Sequence, residues 1–450
     1  MKFKFWIAFY VAKMGQALLR LLKRNATYFP GKVAIKICPQ FLKYIDRPTK
    51  IIAVTGTNGK TTVCNMINDI LIDNGYNVLN NRLGSNINSG IASSLIEHTS
   101  IFNKTKKDLA VFEVDERSSI LIYQYIKPDY LVCTNLFRDS IKRNAHTDYI
   151  VDIINSKLPK ETVVLANADD LIACSIGKEN NHIYFGIDKL DTDVEETTNI
   201  IKDIKTCPNC DTKLKYEYAR YHHLGKAYCP NCDFKSPDSN FLVRNIDKER
   251  REIIIKEDMK SYKYNMLSDS IFNIYNELAA ISILRIMGLS ATEINNSIKK
   301  IKIVETRLSE EIINEKKVIT HLSKGQNPVA ASRVFDYVKS VEGNKAVILI
   351  IDDCDDAKHS SENLTWLYDA DFELLNDDNI KQVIIGGVRA NDYYLRLLLA
   401  GVPEEKVSKI EDELKTVSLI NQENVDTIFI LHDIYKFDVA SNLKELLRNN

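Results

Sequence analysis

The sequence predicts an α/β protein with two sheet-based domains, an N-terminal helical segment and an inserted cysteine-rich module. Its 450 residues exceed what one hydrophobic core usually organises. From Ile51 to about Gly186, and again from about Lys317, short β-branched runs alternate with helical patterns. This alternation is typical of parallel sheets covered by helices on both faces. The domain boundaries are placed at 1–46, 47–300 and 301–450, with the insertion at about 204–236.

The composition excludes several classes of protein. Sixty basic against sixty-one acidic residues leave a net charge of −1, which gives no reason to expect nucleic-acid binding. A hydrophobic fraction of 45% excludes a predominantly disordered chain. No apolar run reaches the roughly 20 residues that a membrane-spanning helix needs. Nine cysteines, an odd number, without a secretory signal predict reduced thiols in the cytoplasm.

Residues 1–23 predict an amphipathic helix. Lys2 and Lys4 precede an aromatic and aliphatic run that Lys13 interrupts, and no small-residue cleavage site follows. We expect this helix to dock on the protein's own body. Peripheral contact with an anionic membrane surface is the main alternative, and a cleaved signal is the third.

The candidate strands are short, β-branched and bounded by polar turns. In the first domain they are Ile51–Val54, Leu109–Phe112, Tyr130–Cys133, Val163–Leu165 and His182–Phe185. In the second they are Val318–Leu322, Ala346–Ile351, Gln382–Gly386 and Thr427–Leu431. Asn327 and Pro328 fit the N-cap and first turn of a helix that reaches about Val338.

A glycine-rich segment follows the first strand and opens a helix, which is the setting of a phosphate-binding loop. Its glycines allow backbone N–H groups to turn toward phosphate oxygens, Lys60 can reach the terminal phosphates, and Thr61 can hold Mg²⁺. Standard spacing would want glycine where Val54 stands, so the loop is a variant. The alternative is a simple helix-capping turn. The predicted nucleotide-binding residues are Thr55, Gly56, Thr57, Asn58, Gly59, Lys60, Thr61 and Thr62.

This loop resembles the ATP loop of Mur ligases and folylpolyglutamate synthases, and further segments are similar in the same order. They are the acidic Mg²⁺ motif (113–116), the Thr-Asn-x-x-x-Asp segment (134–139), the adenine-side Asn-Ala-Asp-Asp motif (167–170) and a nucleotide-contacting helix (273–280). The resemblance implies ATP and Mg²⁺ as cofactors. It adds Asn167, Asn273, Asn276 and Arg307 as ATP-binding residues, and Thr61 and Glu113 as Mg²⁺ ligands. The alternatives are an ordinary strand-end carboxylate for Glu113 and a surface ion pair for Arg307.

Four more segments are similar to the MurT family, the ligase-like subunits of lipid II isoglutaminyl synthase. They lie at 29–34, 81–86, 366–373 and 386–389, residues 136–139 are also similar to this family, and the resemblance runs from roughly residue 25 to 430. It implies a Mur ligase-type P-loop central domain with a parallel-rich sheet and an inserted zinc ribbon, plus a C-terminal Rossmann-like α/β domain of MurT type.

The activity that the resemblance implies belongs to peptidoglycan biosynthesis. The D-glutamate α-carboxyl of the lipid II stem peptide would be amidated to D-isoglutamine, through an acyl phosphate attacked by ammonia. A GatD-like glutaminase subunit would supply the ammonia as a heterodimer partner, and the complex would act in the cytoplasm at the inner face of the cell membrane. The alternatives are a Mur-type amino-acid ligase and a non-catalytic ATP-binding adaptor.

An acidic loop in the second domain is expected to serve this partner. Glutamine hydrolysis needs an activated cysteine with a histidine base, and no such constellation is evident in this chain. Cys354 lies among aspartates, whose charge disfavours the thiolate. In the resemblance, an aspartate of this loop completes the partner's Cys–His pair. The predicted catalytic residues are Asp355, Asp356 and Arg307, with Asp352, Asp353 and Asp369 as alternatives to the two aspartates; a solvated acidic loop is the other interpretation.

Two Cys-Pro-Asn-Cys knuckles separated by eighteen residues predict a zinc ribbon. The ligands would be Cys207, Cys210, Cys229 and Cys232. Four thiolates complete a tetrahedral shell, so the metal should be structural. Iron in the same ligands, or two disulfides, are the alternatives. The intervening segment is mildly basic, through Lys213, Lys215, Arg220 and Lys226, and it leaves His222 and His223 without a predicted role. We expect the ribbon to provide rigidity or a partner contact.

Overall fold

The computed structural model describes residues 2–82, 85–139, 146–301, 308–323, 326–351 and 364–449. The chain divides into two compact units. The first comprises Met1–Phe137, His146–Thr197 and Asp203–Ile303. The second comprises Arg138–Ala145, Thr198–Lys202 and Val304–Asn450.

The first unit contains nine α-helices and eleven strands among its described residues. The helices are α1 (Lys2–Leu21), α2 (Phe29–Ile37), α3 (Phe41–Tyr44), α4 (Lys60–Asp73), α5 (Asn88–His98), α6 (Ser119–Tyr123), α7 (Thr147–Lys157), α8 (Ile271–Ile286) and α9 (Ala291–Ile298). The strands are β1 (Lys50–Thr55), β2 (Val78–Asn80), β3 (Leu109–Glu113), β4 (Tyr130–Cys133), β5 (Val163–Asn167), β6 (His182–Ile187), β7 (Lys215–Tyr221), β8 (Leu224–Tyr228), β9 (Phe241–Asp247), β10 (Glu252–Glu257) and β11 (Lys260–Asn265).

Nine of these strands form one sheet in the order β11-β10-β9-β6-β5-β4-β1-β3-β2. The run from β2 to β9 is parallel, and β10 and β11 extend it as an antiparallel edge. The five strands predicted in this domain are all present. The antiparallel extension was not predicted, because β11 is rich in lysine and tyrosine and is largely exposed on one face.

Both faces of the central parallel part of this sheet are buried, as a parallel sheet requires. Successive side chains of β1 alternate between two cores, so that Ile51 and Ala53 face one and Ile52 and Val54 face the other. Helices α1, α2, α3, α5, α6 and α7 contribute to the first core, and α4, α8 and α9 contribute to the second. The N-terminal helix therefore docks on the protein's own body, as expected, with the Phe5 ring 5.2 Å from that of Phe41.

The second unit is a smaller α/β layer. Its helices are α10 (Pro328–Ser340), α11 (Trp366–Asp369), α12 (Ala390–Leu399) and α13 (Phe437–Asn449). Its strands are β12 (Leu308–Ile313), β13 (Lys316–Leu322), β14 (Lys345–Ile350), β15 (Ile380–Gly386), β16 (Val407–Ile410) and β17 (Thr427–His432). They form a sheet in the order β12-β13-β17-β14-β15-β16, parallel except for the β12–β13 pair. The predicted cap of α10 is present, since Asn327 Oδ1 accepts the Ala330 N–H at 2.9 Å.

Candidate functional site

The predicted phosphate loop lies at the carboxyl edge of the nine-stranded sheet. Strand β1 sits between β3 and β4, so the loops that follow these three strands leave the sheet side by side. A reversal of strand order of this kind opens a crevice at the carboxyl ends of the strands, where ligands of α/β proteins usually bind. Val54, which occupies the expected glycine position, is a fully buried residue of β1.

Two glycines of the loop are required by its geometry. Gly56 has φ 127° and Gly59 has φ 87°, a region that favours glycine. A Cβ atom on Gly56 would lie 2.2 Å from Thr134 Oγ1, and one on Gly59 would lie 2.1 Å from Asn276 Oδ1. The structure thus packs Asn276, a predicted ATP-binding residue on α8, directly against the loop.

The segment after β4 holds the loop in shape. The Thr57 N–H donates to Asn135 O at 2.8 Å, and the Asn58 N–H donates to Asn135 Oδ1 at 3.0 Å. Thr134 Oγ1 donates to Asn58 O at 2.7 Å, and Thr57 Oγ1 exchanges hydrogen bonds with the backbone of Phe137. Asn58 Nδ2 is buried without a protein partner among the described residues. A buried donor in this position fits a ligand that brings its own acceptors.

Lys60, the first residue of α4, is buried within the loop and forms an ion pair. Its Nζ lies 2.8 Å from Glu116 Oε1, with the two side chains only 13% and 3% exposed, and it also donates to Gly56 O. Burial alone would lower the pKa of Lys60, but the Glu116 carboxylate outweighs it and the pKa is raised. Burial raises the pKa of Glu116, and Lys60 partly opposes that shift. The ammonium is thus kept charged at the loop.

Glu113, the predicted Mg²⁺ ligand, closes β3 and is half-buried. Its Oε1 accepts from Asn86 Nδ2 at 3.0 Å, while Asn81 bonds both its backbone N–H and its backbone carbonyl at 2.9 Å. Asn81 and Asn86, which the sequence marked only through a family resemblance, therefore position this carboxylate. Thr61, the other predicted ligand, is exposed at the start of α4.

The ribbon hairpin, defined as β7, β8 and the turn between them, inserts a buried arginine behind the Asn-Ala-Asp-Asp segment (167–170). Arg220 lies 3.2 Å from an Asp169 carboxylate oxygen and 2.8 Å from one of Asp193, with all three side chains at most 4% exposed. Tyr275 of α8 donates to Asp169 at 2.5 Å and also bonds Arg220. Burial would lower the pKa of Arg220, but its contacts with Tyr275 and the aspartates raise it overall. Arg220, which the sequence analysis counted among the basic residues of this segment, is therefore buried and paired with acidic side chains.

A second contact joins the hairpin to the loop that follows β4. His223 Nε2 lies 3.2 Å from Asp170 Oδ1, both side chains being fully buried. Asp170 in turn accepts the Leu136 N–H at 2.7 Å, and the His223 and Phe137 rings are 4.6 Å apart. Because Phe137 bonds Thr57, contacts run without a gap from the ribbon hairpin to the phosphate loop.

These roles of Arg220 and His223 were missed from the sequence. Their partners Asp169 and Asp170 are 51 and 53 residues away, so no local pattern carries the signal. The Tyr221 ring, 4.2 Å from that of Phe272 in the first turn of α8, was missed for the same reason. Asn273, a predicted ATP-binding residue, lies in the same turn. The side chain of Asn167 is buried, and its Oδ1 accepts a hydrogen bond from the Asp169 N–H at 3.1 Å.

The four ribbon cysteines converge. Their sulfur atoms all lie within 4.8 Å of one another, with separations of 3.5 Å for Cys207–Cys232 and for Cys210–Cys229. A tetrahedral zinc ion with Zn–S bonds of about 2.3 Å needs sulfurs about 3.8 Å apart, so the cluster fits such an ion. All four are free thiols, which contradicts the alternative of two disulfides.

Several predicted residues lie outside the described part of the chain. They are Arg307 and the loop aspartates Asp352, Asp353, Asp355 and Asp356, together with Cys354. Their roles stay predictions. Asp369, the remaining alternative, is described, and its carboxylate lies 3.7 Å from the Arg138 guanidinium.

Comparison with known proteins assigns the chain to a family. The Mur ligase middle domain matches residues 54–284, and the MurT ligase C-terminal domain matches residues 324–435. A Streptococcus pneumoniae (strain ATCC BAA-255 / R6) protein is 33% identical over 93% of this chain and 92% of its own length. One from Staphylococcus aureus (strain COL) is 31% identical over 88% of both. The chain belongs to the MurT family. Both relatives are named lipid II isoglutaminyl synthase (glutamine-hydrolyzing) subunit MurT.

Solved structures agree on the fold of this MurT family member. A pseudomurein peptide ligase type C from Methanothermus fervidus has a TM-score of 0.65 at 22% identity, covering 91% of this chain and 80% of the other. A MurF crystal structure from Acinetobacter baumannii has a TM-score of 0.64 at 14% identity, covering 92% and 80%. The predicted Mur ligase-type α/β fold is confirmed.

Proposed function

We propose that the chain is the ligase subunit of an ATP-dependent amidotransferase that converts the D-glutamate α-carboxyl of the lipid II stem peptide to D-isoglutamine. The observation that carries this proposal is the phosphate loop with its buried Lys60–Glu116 pair, in a chain whose relatives of matching length are named lipid II isoglutaminyl synthase subunits. The names describe the relatives, and the phosphate loop would supply the ATP-binding group that such a synthase requires.

The reaction needs a carboxylate to attack the γ-phosphorus of ATP, so two anions must approach each other. A carboxylate oxygen forms the new P–O bond and ADP leaves; ammonia then attacks the acyl carbon and inorganic phosphate leaves. Lys60, held charged by Glu116, offsets this repulsion at the γ-phosphate. The first N–H groups of α4, which lack intrahelical partners, add donors for the phosphates.

We assign the remaining nucleotide contacts on the same reasoning. Thr55 to Thr62 would enclose the phosphates, and Asn167, Asn273, Asn276 and Arg307 would contact the rest of ATP. The packing of Asn276 on Gly59 and the unpartnered Asn58 Nδ2 support this assignment. Thr61 and Glu113 would hold Mg²⁺, which neutralises phosphate charge when bound.

The four ribbon cysteines would hold a structural zinc ion. Supporting this, the N–H of Asn209 donates to Cys207 Sγ and that of Asn231 to Cys229 Sγ, both at 3.4 Å. Backbone donors of this kind stabilise a thiolate, which is the form that binds metal. Such an ion would fix the two knuckles at the base of the ribbon hairpin.

A separate GatD-like glutaminase subunit would supply the ammonia. Burial raises the pKa of Cys64, Cys133 and Cys174, which keeps these thiols protonated and unsuited to nucleophilic attack on glutamine. This supports a partner active site, to which Asp355 or Asp356 would contribute. A lipid-linked acceptor would also locate the complex at the inner face of the cell membrane.

The test is mass spectrometry of lipid II incubated with the chain, ATP, Mg²⁺ and ammonium. The expected product is lighter by the difference between a hydroxyl and an amino group, with one ATP consumed per product. Replacing ammonium by D- or L-amino acids separates the amidotransferase from an amino-acid ligase, because a ligase product would be heavier. Unchanged lipid II in the presence of a glutaminase partner would refute the proposal, and ATP binding without turnover would indicate an adaptor.

A further inference from the structure

Helix α1 carries a second apolar face that the body of the protein leaves uncovered. Its inward face, including Phe5, Phe9 and Ala12, is buried in the first core. An outer stripe on the opposite side is exposed, from Phe3 at 77% to Leu21 at 80%. We define the outer stripe as Phe3, Ile7, Val11, Met14, Leu18 and Leu21.

The spacing of the outer stripe makes it continuous. Its members follow one another by three or four residues, so they form one line along the helix. A helix of this length extends about 30 Å. An apolar face that runs the whole length of a helix and remains exposed usually marks an interaction surface.

Charge identifies the kind of partner. Residues 2–25 contain six basic side chains and no acidic one, in a chain whose net charge is −1. Lys2 and Lys4 are exposed at the start of the helix, and Lys23 and Arg24 are exposed just beyond its end. Both ends of the outer stripe are therefore bordered by positive charge, which complements an anionic surface.

Aromatic side chains at the border fit the same partner. Trp6 and Tyr10 are 37% and 45% exposed next to the outer stripe, and their rings stack with centroids 5.7 Å apart. Amphipathic rings of this type prefer the level of lipid headgroups. Because the inward face of α1 is buried in the first core, the contact would lie in the plane of the interface. Among the described residues, no helix is both long and apolar enough to cross a bilayer.

We propose that the outer stripe of α1 docks the protein on an anionic lipid surface, with the stripe in the acyl boundary and the flanking lysines and arginines among the headgroups. The inference deepens the proposed function, because it would hold the ligase beside a lipid-linked acceptor. A second copy of the chain or a protein partner on the same face would need apolar contact but not the basic residues at both ends.

The experiment is cosedimentation of the full chain with vesicles of phosphatidylglycerol and phosphatidylcholine, without ATP or lipid II. We expect binding that falls when salt is raised, and at least about tenfold weaker binding to pure phosphatidylcholine vesicles. The triple variant Ile7→Gln, Met14→Gln, Leu18→Gln should lose at least about tenfold in partitioning, since its buried apolar area is removed. The matched control is Met259→Gln with Ile312→Gln, which alters exposed apolar residues elsewhere (94% and 71% exposed) and should bind as the unaltered chain does.

Three outcomes would overturn the inference. The first is no vesicle binding by the unaltered chain, and the second is equal vesicle binding by the triple variant. The third is an unaltered chain that is a dimer in light scattering and does not bind vesicles, together with a triple variant that is a monomer. Because nucleotide and acceptor are absent, vesicle binding can fail while amidation of a soluble acceptor persists, and the reverse also holds. The two proposals can therefore fail separately.

Discussion

The phosphate loop and the ribbon hairpin meet at the same edge of the first sheet but are held there by opposite kinds of interaction. Neutral hydrogen bonds from Thr134 and Asn135 hold the loop. Among residues 55–62, Lys60 is the one charged residue, and it pairs with Glu116. Buried charge holds the hairpin, through Arg220 between Asp169 and Asp193. The loop leaves one buried donor, Asn58 Nδ2, without a partner, whereas the Arg220 guanidinium makes contacts on all sides.

This difference separates reaction chemistry from positioning. A loop with a buried hydrogen-bond donor that lacks a partner can bind an incoming anion. A fully paired buried arginine can only hold the side chains around it in place. We therefore expect changes in the loop to affect turnover and changes in the hairpin to affect stability and nucleotide affinity.

The largest effect is expected from Lys60→Met. It removes the charge at the γ-phosphate, so kcat/KM for ATP-dependent amidation should fall at least about a thousandfold. It also leaves Glu116 buried without its partner, which should lower the free energy of unfolding by about 3 kcal/mol.

The double variant Lys60→Met with Glu116→Gln isolates the two roles of Lys60. It should recover most of the stability, measured by urea unfolding, and none of the activity. If amidation returned with the stability, the lysine would be structural and its catalytic assignment would be wrong.

The next effect is expected from Arg220→Met, which leaves two aspartates unpaired in the interior. The free energy of unfolding should fall by about 3–5 kcal/mol. Arg244→Met is the matched control, because the Arg244–Asp188 pair is half-exposed and should contribute less than about 1 kcal/mol. Equal losses in the two variants would show that the buried pairs do not hold the hairpin.

Removal of the proposed ribbon metal should act on nucleotide affinity more than on turnover. The contacts from the hairpin to Thr57 run through His223, Asp170 and Phe137, so a loosened ribbon should raise the KM for ATP about fivefold or more. The measurement compares KM and kcat before and after treatment with a chelator that is removed before Mg²⁺ and ATP are added, alongside Cys207→Ser and the control Cys38→Ser. A fall in kcat at constant KM would argue against this coupling.

Sequence reasoning located the loop well and the hairpin poorly, for a physical reason. The strand, the glycines and Lys60 are adjacent in the chain, and the buried strands β1, β3 and β4 appear as continuous β-branched runs. The cysteine knuckles are equally local. The contacts of Arg220 and His223 are not, because a buried arginine and a surface arginine look the same in sequence until their partners are located in space.

The same reasoning explains the limits of the predicted acidic site. Glu113 was selected by resemblance as a Mg²⁺ ligand, and that role stays a prediction. The ion pair of Glu116, three residues later, with Lys60 was not predicted. Strand periodicity ends at Glu113, so the sequence could not show which carboxylate beyond it turns inward.

The last effect is on the pH dependence of stability, and it concerns Glu277 of α8, the helix that contacts both regions through Tyr275 and Asn276. Burial raises the pKa of Glu277 to about 8, and the Leu267 N–H opposes this only in part. The folded chain thus keeps a proton that the unfolded chain loses near pH 4.3, so stability falls by about 1.4 kcal/mol per pH unit from there to about pH 8.

Glu277→Gln should remove the part of the pH dependence of stability that comes from Glu277. Between about pH 5 and about pH 8, the midpoint of urea unfolding should fall less in the variant than in the unaltered chain. The control is Glu293→Gln, at the exposed capping box of α9. Between these pH values, its unfolding midpoint should fall as much as that of the unaltered chain. Parallel pH profiles for all three proteins would contradict the protonated state of Glu277.

The account depends most on residues 55–62 enclosing a triphosphate, and calorimetric titration of ATP with Mg²⁺ into Gly59→Ala tests this directly. Gly59 and Gly75 lie at the two ends of α4 with nearly equal φ values of 87° and 85°, but only a Cβ at Gly59 meets another atom, Asn276 Oδ1 at 2.1 Å. Gly75→Ala therefore carries the same backbone strain without touching the loop. We predict that Gly75→Ala binds ATP as the unaltered chain does and that Gly59→Ala does not bind it measurably. Equal affinity in the two variants would place the nucleotide elsewhere and contradict the account.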